Sequence, residues 1–391
     1  MPVERIIILR EDKYSKFNHD RFGIDILEER GLAVEYWDCS RIFRAQFQGT
    51  HRVEKKDGFS GLRYFDKRDF LLGRIASLTP KDVLITELTP TIKTLKLLRY
   101  IAGIKAFWGM VRLGDLPIPQ SESSFLSRIE KLIRKPSVGV NFLLRKVPPE
   151  KLGLRALDFI LLGGASPVLG GPGRMINENT KFIDAHSSDY DRCLLETREK
   201  GKADCPKKVV FLDHGGPFHR DQFFFNVPFP CSTEEYFSNL NSFFRLIEKK
   251  FGWSVVVAGH PRVDYKEKGN PFEGREIVQG ETHRWVKTAH FVINFCSTTV
   301  SFAVIYKKPI VFLEINPKKR NVFDPLGKSI ANKLGKSSFY WAGKGEVDWD
   351  RELKINHDCY DQYMESYIKK QGSPENSCWE ILADYLMSKD G

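Results

Sequence analysis

The chain has 391 residues, 41 % of them hydrophobic and 28 % charged, and a formal net charge of +11. That size and balance predict two globular domains and exclude a disordered or fibrous chain. No run of about 18 apolar residues occurs, so no membrane-spanning helix is expected. Seven cysteines (Cys39, Cys193, Cys205, Cys231, Cys296, Cys359, Cys378) are scattered, odd in number and without a Cys-x-x-Cys pair. This argues against disulfide frameworks and zinc knuckles and favours a reducing cytoplasm. Met1–Leu9 reads as a strand, not a signal peptide. The positive charge calls for an acidic partner. No helix-turn-helix, finger or RRM motif accompanies it, so nucleic acid is not expected.

In chain order, Arg5–Leu9 reads as a strand, Phe22–Arg30 as a helix closed by Gly31, and Leu32–Trp37 as the next strand. This βαβ opening suits a doubly wound sheet. Ser40–Lys67 is polar and irregular, and Phe70–Leu78 is a short helix ended by Pro80. Asp82–Thr86 is a strand followed at once by Glu87, with a helix over Thr91–Ala102; Ala106–Leu113 is strand-like and runs into Gly114-Asp115. Glu87 and Asp115 each follow a strand end, which makes them candidate acids or bases, although an acidic residue there also serves as a helix N-cap. In Ser121–Arg134, Phe125, Leu126, Ile129, Leu132 and Ile133 recur at helical spacing beside Arg128, Lys131, Arg134 and Lys135. That pattern predicts a basic amphipathic helix that either lies on an anionic membrane through residues 121–135 or packs on the core.

Asp158–Leu162 is a strand that enters Gly163-Gly164, and Gly170-Gly171-Pro172-Gly173 match neither a dinucleotide fingerprint nor a Walker A loop. Lys181–Ala185 is a strand, and a helix from the His186–Asp191 region runs through Glu196. Asp189-x-Asp191 and Asp348-Trp349-Asp350 look like metal motifs, but Ser187, Ser188 and Asp189 are better read as helix caps, and no metal is expected. The polar run Arg198–Lys208 is the expected linker between domains of residues 1–200 and 201–391.

Val209–Leu212 opens the second sheet and ends in Asp213-His214-Gly215-Gly216-Pro217-Phe218-His219-Arg220-Asp221. Ser232–Phe251 is a long amphipathic helix. Ser254–Ala258 is a strand ending in Gly259-His260-Pro261. A helix over Thr282–Ala289 and a strand over Phe291–Phe295 lead to Ser297-Thr298-Thr299, a helix over Val300–Ile305 and a strand over Pro309–Leu313. Short β-branched runs of this kind suit strands buried on both faces of a parallel sheet, whose ligands sit beyond the carboxyl ends. His260 and the hydroxyls and N–H groups of Ser297–Thr299 would then face one spot suited to a phosphate. Glu314, also at a strand end, is placed to bond ribose hydroxyls. Glu375–Met387 is a closing helix, with Trp379, Ile381, Leu382 and Leu386 apolar, suited to crossing back onto the first domain.

His-Pro after a core strand, the Ser/Thr cluster one βαβ unit later, and the run AVIYKKPIVFL are similar to the C-terminal half of bacterial GT-B glycosyltransferases. They resemble in particular the enzymes that use CMP-activated sugars, namely Kdo transferases and bacterial sialyl- and polysialyltransferases, and more loosely the CDP-glycerol transferases. The resemblance covers mainly residues 205–315. It implies an α/β protein of two Rossmann-like domains facing a cleft, in which His260, Pro261, Ser297, Thr298 and Thr299 hold the CMP phosphate without metal or other cofactor. The implied donor carries Kdo or a related ulosonic acid. The implied acceptor is a saccharide or lipid-linked saccharide of surface polysaccharide or lipopolysaccharide, met in the cytoplasm or at the inner face of the membrane. Phe211-Leu212-Asp213 with Pro217-x-His219-x-Asp221 resembles a stretch of the Kdo-related transferases, where an Asp bears the sugar in retaining members. Asp213 or Asp221 would be that nucleophile. Were the reaction inverting, Glu87 or Asp115 would act as general base. A CDP-glycerol or CDP-ribitol phosphotransferase and a non-catalytic protein binding anionic ligands are the alternatives.

Overall fold

Two doubly wound parallel sheets follow one another along the chain. The structure is a computed structural model describing residues 3–43, 58–117, 136–144, 147–165, 175–198, 207–219, 229–319, 321 and 323–388. The first sheet contains β1 (Arg5–Arg10), β2 (Ala33–Asp38), β3 (Leu62–Tyr64), β4 (Asp82–Thr86), β5 (Phe107–Arg112), β6 (Phe159–Leu162) and β7 (Lys181–Asp184). Its order is β3-β2-β1-β4-β5-β6-β7. The second contains β8 (Lys208–Leu212), β9 (Ser254–Ala258), β10 (Ile277–Val278), β11 (Val292–Asn294), β12 (Ile310–Glu314) and β13 (Phe339–Tyr340), in the order β10-β9-β8-β11-β12-β13. All named pairings are parallel. In each sheet the winding reverses beside the first strand, between β1 and β4 and between β8 and β11. These are two Rossmann-like units, the two-domain α/β architecture expected from the sequence.

The strands read as near-continuous apolar runs because helices cover both faces. Ile6, Ile7 and Ile8 are all fully buried, and alternate residues enter opposite core clusters: Ile6 and Ile8 one, Ile7 and Leu9 the other. The second sheet divides in the same way, Val209 and Phe211 joining one cluster and Val210 and Leu212 the other. Thr233–Phe251 is the long amphipathic helix, with Ser232 as N-cap accepting the Glu235 N–H at 3.1 Å and Gly252 closing it at φ 67°.

The expected single helix over Phe22–Arg30 is instead two, Lys16–Arg21 and Ile24–Glu29. Gly23 separates them at φ 52°, and a Cβ built on it would lie 2.2 Å from the Trp379 ring. Trp379 belongs to the closing helix, Cys378–Met387, which returns from the second sheet to the core of the first beside Phe22, Leu27 and Phe159. Ser377 and Glu380 form its capping box. Trp379 Nε1–H donates to the Arg21 carbonyl at 3.1 Å, so the chain end locks the kink. The segment expected to be irregular, Ser40–Lys67, contains the turn Ser40–Phe43 and the edge strand β3. Their short length hides them from periodicity. Residues 121–135, Gly170–Gly173 and most of the expected linker lie outside the described residues. No described helix is long and apolar enough to cross a membrane.

Replacing Trp379 with alanine is expected to lower stability by about 3–5 kcal/mol, the range for emptying a large aromatic site, in urea unfolding followed by circular dichroism. A loss below about 1 kcal/mol would show that the closing helix is not integral to the first core.

Candidate functional site

The carboxyl edge of the second sheet gathers four of the segments singled out in the sequence. Asp213–His219 leaves β8, Gly259-His260-Pro261 leaves β9, Ser297–Thr299 follows β11, and Glu314 ends β12. Because β9 and β11 flank β8, the strands that deliver His260 and Ser297 are roughly 10 Å apart, two strand spacings. The β8 loop lies between them, at the reversal point where open α/β sheets bind ligands.

Asp213 organises this edge from below. It is 4 % exposed. Its Oδ1 accepts the Gly215 N–H at 2.9 Å, and its Oδ2 accepts the His260 N–H at 3.0 Å together with the Tyr265 hydroxyl. Burial pushes its pKa up, opposed by those same three donors. A carboxyl so enclosed has the geometry of an anchor that holds the β8 and β9 loops together. Asp221, the other candidate nucleophile, lies outside the described residues.

His260 is presented in a defined tautomer. The Arg262 N–H donates to its Nδ1 at 3.2 Å, which in the neutral ring places the proton on Nε2. Its carbonyl accepts from Gln279 Nε2 at 2.8 Å, so main chain and ring are both fixed. Pro261 is exposed beside it. On the β11 side, the Ser297 N–H donates to Asn294 Oδ1 at 2.9 Å, and the Ser297 and Thr299 hydroxyls are 2.9 Å apart. Ser297 is buried, Thr299 half-buried and Thr298 exposed. The helix that follows, Val300–Ile305, has only six residues, so hydroxyls rather than a long helix dipole supply the attraction for an anion.

Two further histidines share this edge, and the sequence reading gave them no role. His214 is buried among Tyr236, Phe295 and Phe323, and neither of its ring nitrogens has a hydrogen-bond partner. Burial, with His219 and His260 nearby, brings its pKa down to about 3, so it stays neutral. The His219 ring meets that of His260 edge-to-face at 5.2 Å. The signal available in the sequence was the pair His214/His219 in a loop that directly follows a core strand. Glu314 accepts from Ser338 Oγ at 2.9 Å and pairs with Lys328 at 3.2 Å. It lines a small cavity of about 20 Å³ with Tyr236, Tyr340 and Trp341.

The first sheet contributes its own carboxyl edge. Arg10 ends β1 and pairs with Glu87 just beyond β4 and with Asp12 at 3.1 Å. Burial opposes the charge on Arg10, but Glu87 and Asp12 more than offset it and hold its pKa above the usual arginine range. Arg21 approaches Glu87 at 3.9 Å. Asp115 accepts from Arg112 Nε at 3.0 Å. Glu87 and Asp115 are thus both committed to guanidinium partners and belong to different strand ends. A groove of about 670 Å³ lined by Arg63, Tyr64, Phe70 and Arg74 belongs to the edge strand β3, away from these groups in the strand order.

Asp189 and Asp191 part company. Ser187, not Asp189, caps the helix Ser188–Arg198, accepting the Tyr190 N–H at 3.2 Å. Asp191 caps the closing helix instead, accepting the Cys378 N–H at 2.9 Å. His186, Asp191 and Cys378 form the one group among the described residues with donor atoms close enough for a metal ion. All three are buried and already bonded to one another or to main chain, with burial pushing the Cys378 thiol pKa well up. Such a set fits a structural knot better than an ion site. Asp348 caps its own helix by accepting the Arg351 N–H at 3.1 Å.

Asp189 bonds Ser301 of the helix Val300–Ile305 and faces Arg192 and Arg21, which connects the two carboxyl edges. Burial raises its pKa to about 6, moderated by Arg192, Ser301 and Arg21. A raised carboxyl pKa favours folding most below the unfolded value of about 3.9, and that contribution is lost as pH rises through about 6. Asp189→Asn is therefore expected to gain melting temperature relative to the parent chain from about pH 4 to about pH 7. A difference independent of pH would contradict this environment.

Neither a family model nor a curated protein matches the sequence. Among solved structures, similarity extends over whole chains at low identity. The UDP-GlcNAc 2-epimerase of Methanocaldococcus jannaschii is 12 % identical, with 98 % of this chain and 99 % of that chain covered and a TM-score of 0.47. The wall teichoic acid polymerase TagF is 8 % identical, with 100 % and 89 % covered and a TM-score of 0.48. The glycosyltransferase SnogD of Streptomyces nogalater is 12 % identical, with 100 % of each chain covered and a TM-score of 0.44. The functional reading rests on this chain's own residues.

Proposed function

We propose that this chain is a glycosyltransferase that moves Kdo or a related ulosonic acid from a CMP-activated donor to a saccharide or lipid-linked saccharide acceptor. The observation that supports the reading is the strand order, which sets the His260 loop and the loop of the Ser297 and Thr299 hydroxyls on either side of the β8 loop at one sheet edge. His260 brings a proton on Nε2 because Arg262 occupies Nδ1. Donors fixed in advance around a leaving phosphate stabilise charge where it develops, usually the largest contribution to such a reaction. Pro261 and Thr298 belong to the same two loops, and Glu314 serves the ribose or its neighbourhood.

The acceptor hydroxyl comes from the side of the first sheet, where Glu87 or Asp115 takes its proton if the reaction inverts. If it retains configuration, an aspartate attacks the anomeric carbon as CMP departs, and the acceptor hydroxyl, giving its proton to a second carboxylate, then displaces the aspartate from the sugar. Asp213 or Asp221 is the nucleophile of that route; the enclosure of Asp213 favours a positioning role for it and so supports Asp221. No metal or other cofactor is part of the proposal. A basic surface at residues 121–135 would serve to meet an anionic membrane.

The test is thermal stabilisation with CMP, CDP, UMP, UDP, GDP and ADP. A ligand at 100 times its dissociation constant adds about 2.7 kcal/mol to the folded state. A shift with CMP that vanishes in His260→Ala is the expected result. A shift with UDP or GDP alone removes the CMP-sugar assignment, a strong preference for CDP points to the phosphotransferase alternative, and no shift with any nucleotide leaves a non-catalytic binding protein.

A further inference from the structure

His219 stands beside His260 at the carboxyl edge of the second sheet. It follows the turn Gly216–Phe218, and its N–H donates to the Gly216 carbonyl at 3.1 Å, so the end of the β8 loop is fixed at this residue. The His219 and His260 rings stand 5.2 Å apart at 68°. On its other side His219 meets the Phe323 ring at 5.6 Å. Both imidazoles are only half-buried. Gly215 lies against both rings: at φ 89°, a Cβ there would be in van der Waals contact with His219 Cδ2 at 3.4 Å and His260 Cγ at 3.5 Å. It also sits in the left-handed region that a side chain rarely adopts. The glycine therefore floors both rings, and Asp213 ties it to the His260 main chain.

The β8 loop emerges between the β9 loop that carries His260 and the β11 loop that carries Ser297 and Thr299. A phosphate held by His260 and the hydroxyls would lie over the β8 loop, with His219 beside it. His214, immediately before Gly215, is kept neutral by burial and does not compete for the anion. Two imidazoles whose rings stand 5.2 Å apart can each meet a separate anionic group.

We propose that His219, with His260, binds a second anion of the donor adjacent to the nucleotide phosphate. This rests on the nucleotide-donor reading of the same site. Two donors carry such a group: a CMP-ulosonic acid, whose second anion is the sugar carboxylate, and a CDP-alcohol, whose second anion is the β-phosphate. His219 thereby determines which donor class is accepted.

Isothermal titration of the full chain and of its His219→Ala and His219→Gln variants with CMP, CDP and CMP-Kdo tests this. The expected result is CMP affinity within about twofold of the parent in both variants. At least one of CDP and CMP-Kdo should weaken tenfold or more in His219→Ala, with partial recovery in His219→Gln, which keeps an N–H donor. The ligand that weakens identifies the source of the second anion. Equal losses for all three ligands, or no loss for either doubly anionic one, overturn the proposal while the nucleotide reading stands. Failure of the parent chain to bind any of the three overturns the nucleotide reading and this proposal with it.

Discussion

The buried carboxyl of Asp213 is the interaction on which the candidate site depends. A carboxyl withdrawn from water is costly unless its oxygens are bonded, and here every donor it finds belongs to the loops that would meet a ligand: the Gly215 and His260 main chain and the Tyr265 hydroxyl. The desolvation cost is offset by bonds whose geometry also sets where His260 stands. Tyr265 itself is buried beneath the β9 loop against Phe272, so the anchor reaches from the surface loops into the aromatic core of the second sheet. Donors held in place before a ligand arrives need little reorganisation when charge develops.

The two sheets are not independent of one another. The chain leaves the first through the helix Ser188–Arg198, builds the second, and returns through the helix Cys378–Met387 to bury Trp379 against Gly23 and Phe22. Near the candidate site, Glu87 and Arg21 of the first unit approach each other, Arg21 faces Asp189, and Asp189 bonds Ser301 just beyond the Ser297–Thr299 turn. The Ser297–Thr299 turn therefore has a direct physical route to the strand ends of the first sheet, through the Asp189 carboxyl.

Sequence patterning reveals much of this architecture because parallel strands covered on both faces must be short and continuously apolar, as Ile6-Ile7-Ile8 and Val255-Val256-Val257 are. Strand ends followed by His260, Ser297 and Glu314 were legible for the same reason. What escaped was tertiary. The break at Gly23 is set by Trp379, more than 350 residues away, and no local periodicity reports it. The short strands β3, β10 and β13 carry too few residues to show alternation. Asp213 and Asp221 both read as candidate nucleophiles because a position soon after a strand is visible in sequence, whereas the three donors that enclose Asp213 are not. His219 went without a role because only the fold brings it against His260.

The central claim is that the β9 and β11 loops of the second sheet bind one phosphate together. Hydrogen exchange measured by mass spectrometry, with and without CMP, tests it most directly, because ligand contacts slow local opening where they form. The account predicts added protection in the peptides that carry His260 and Ser297–Thr299 together, with the peptides of β4 and β5 unchanged. Protection in only one of the two loops, or at the first sheet instead, would contradict it.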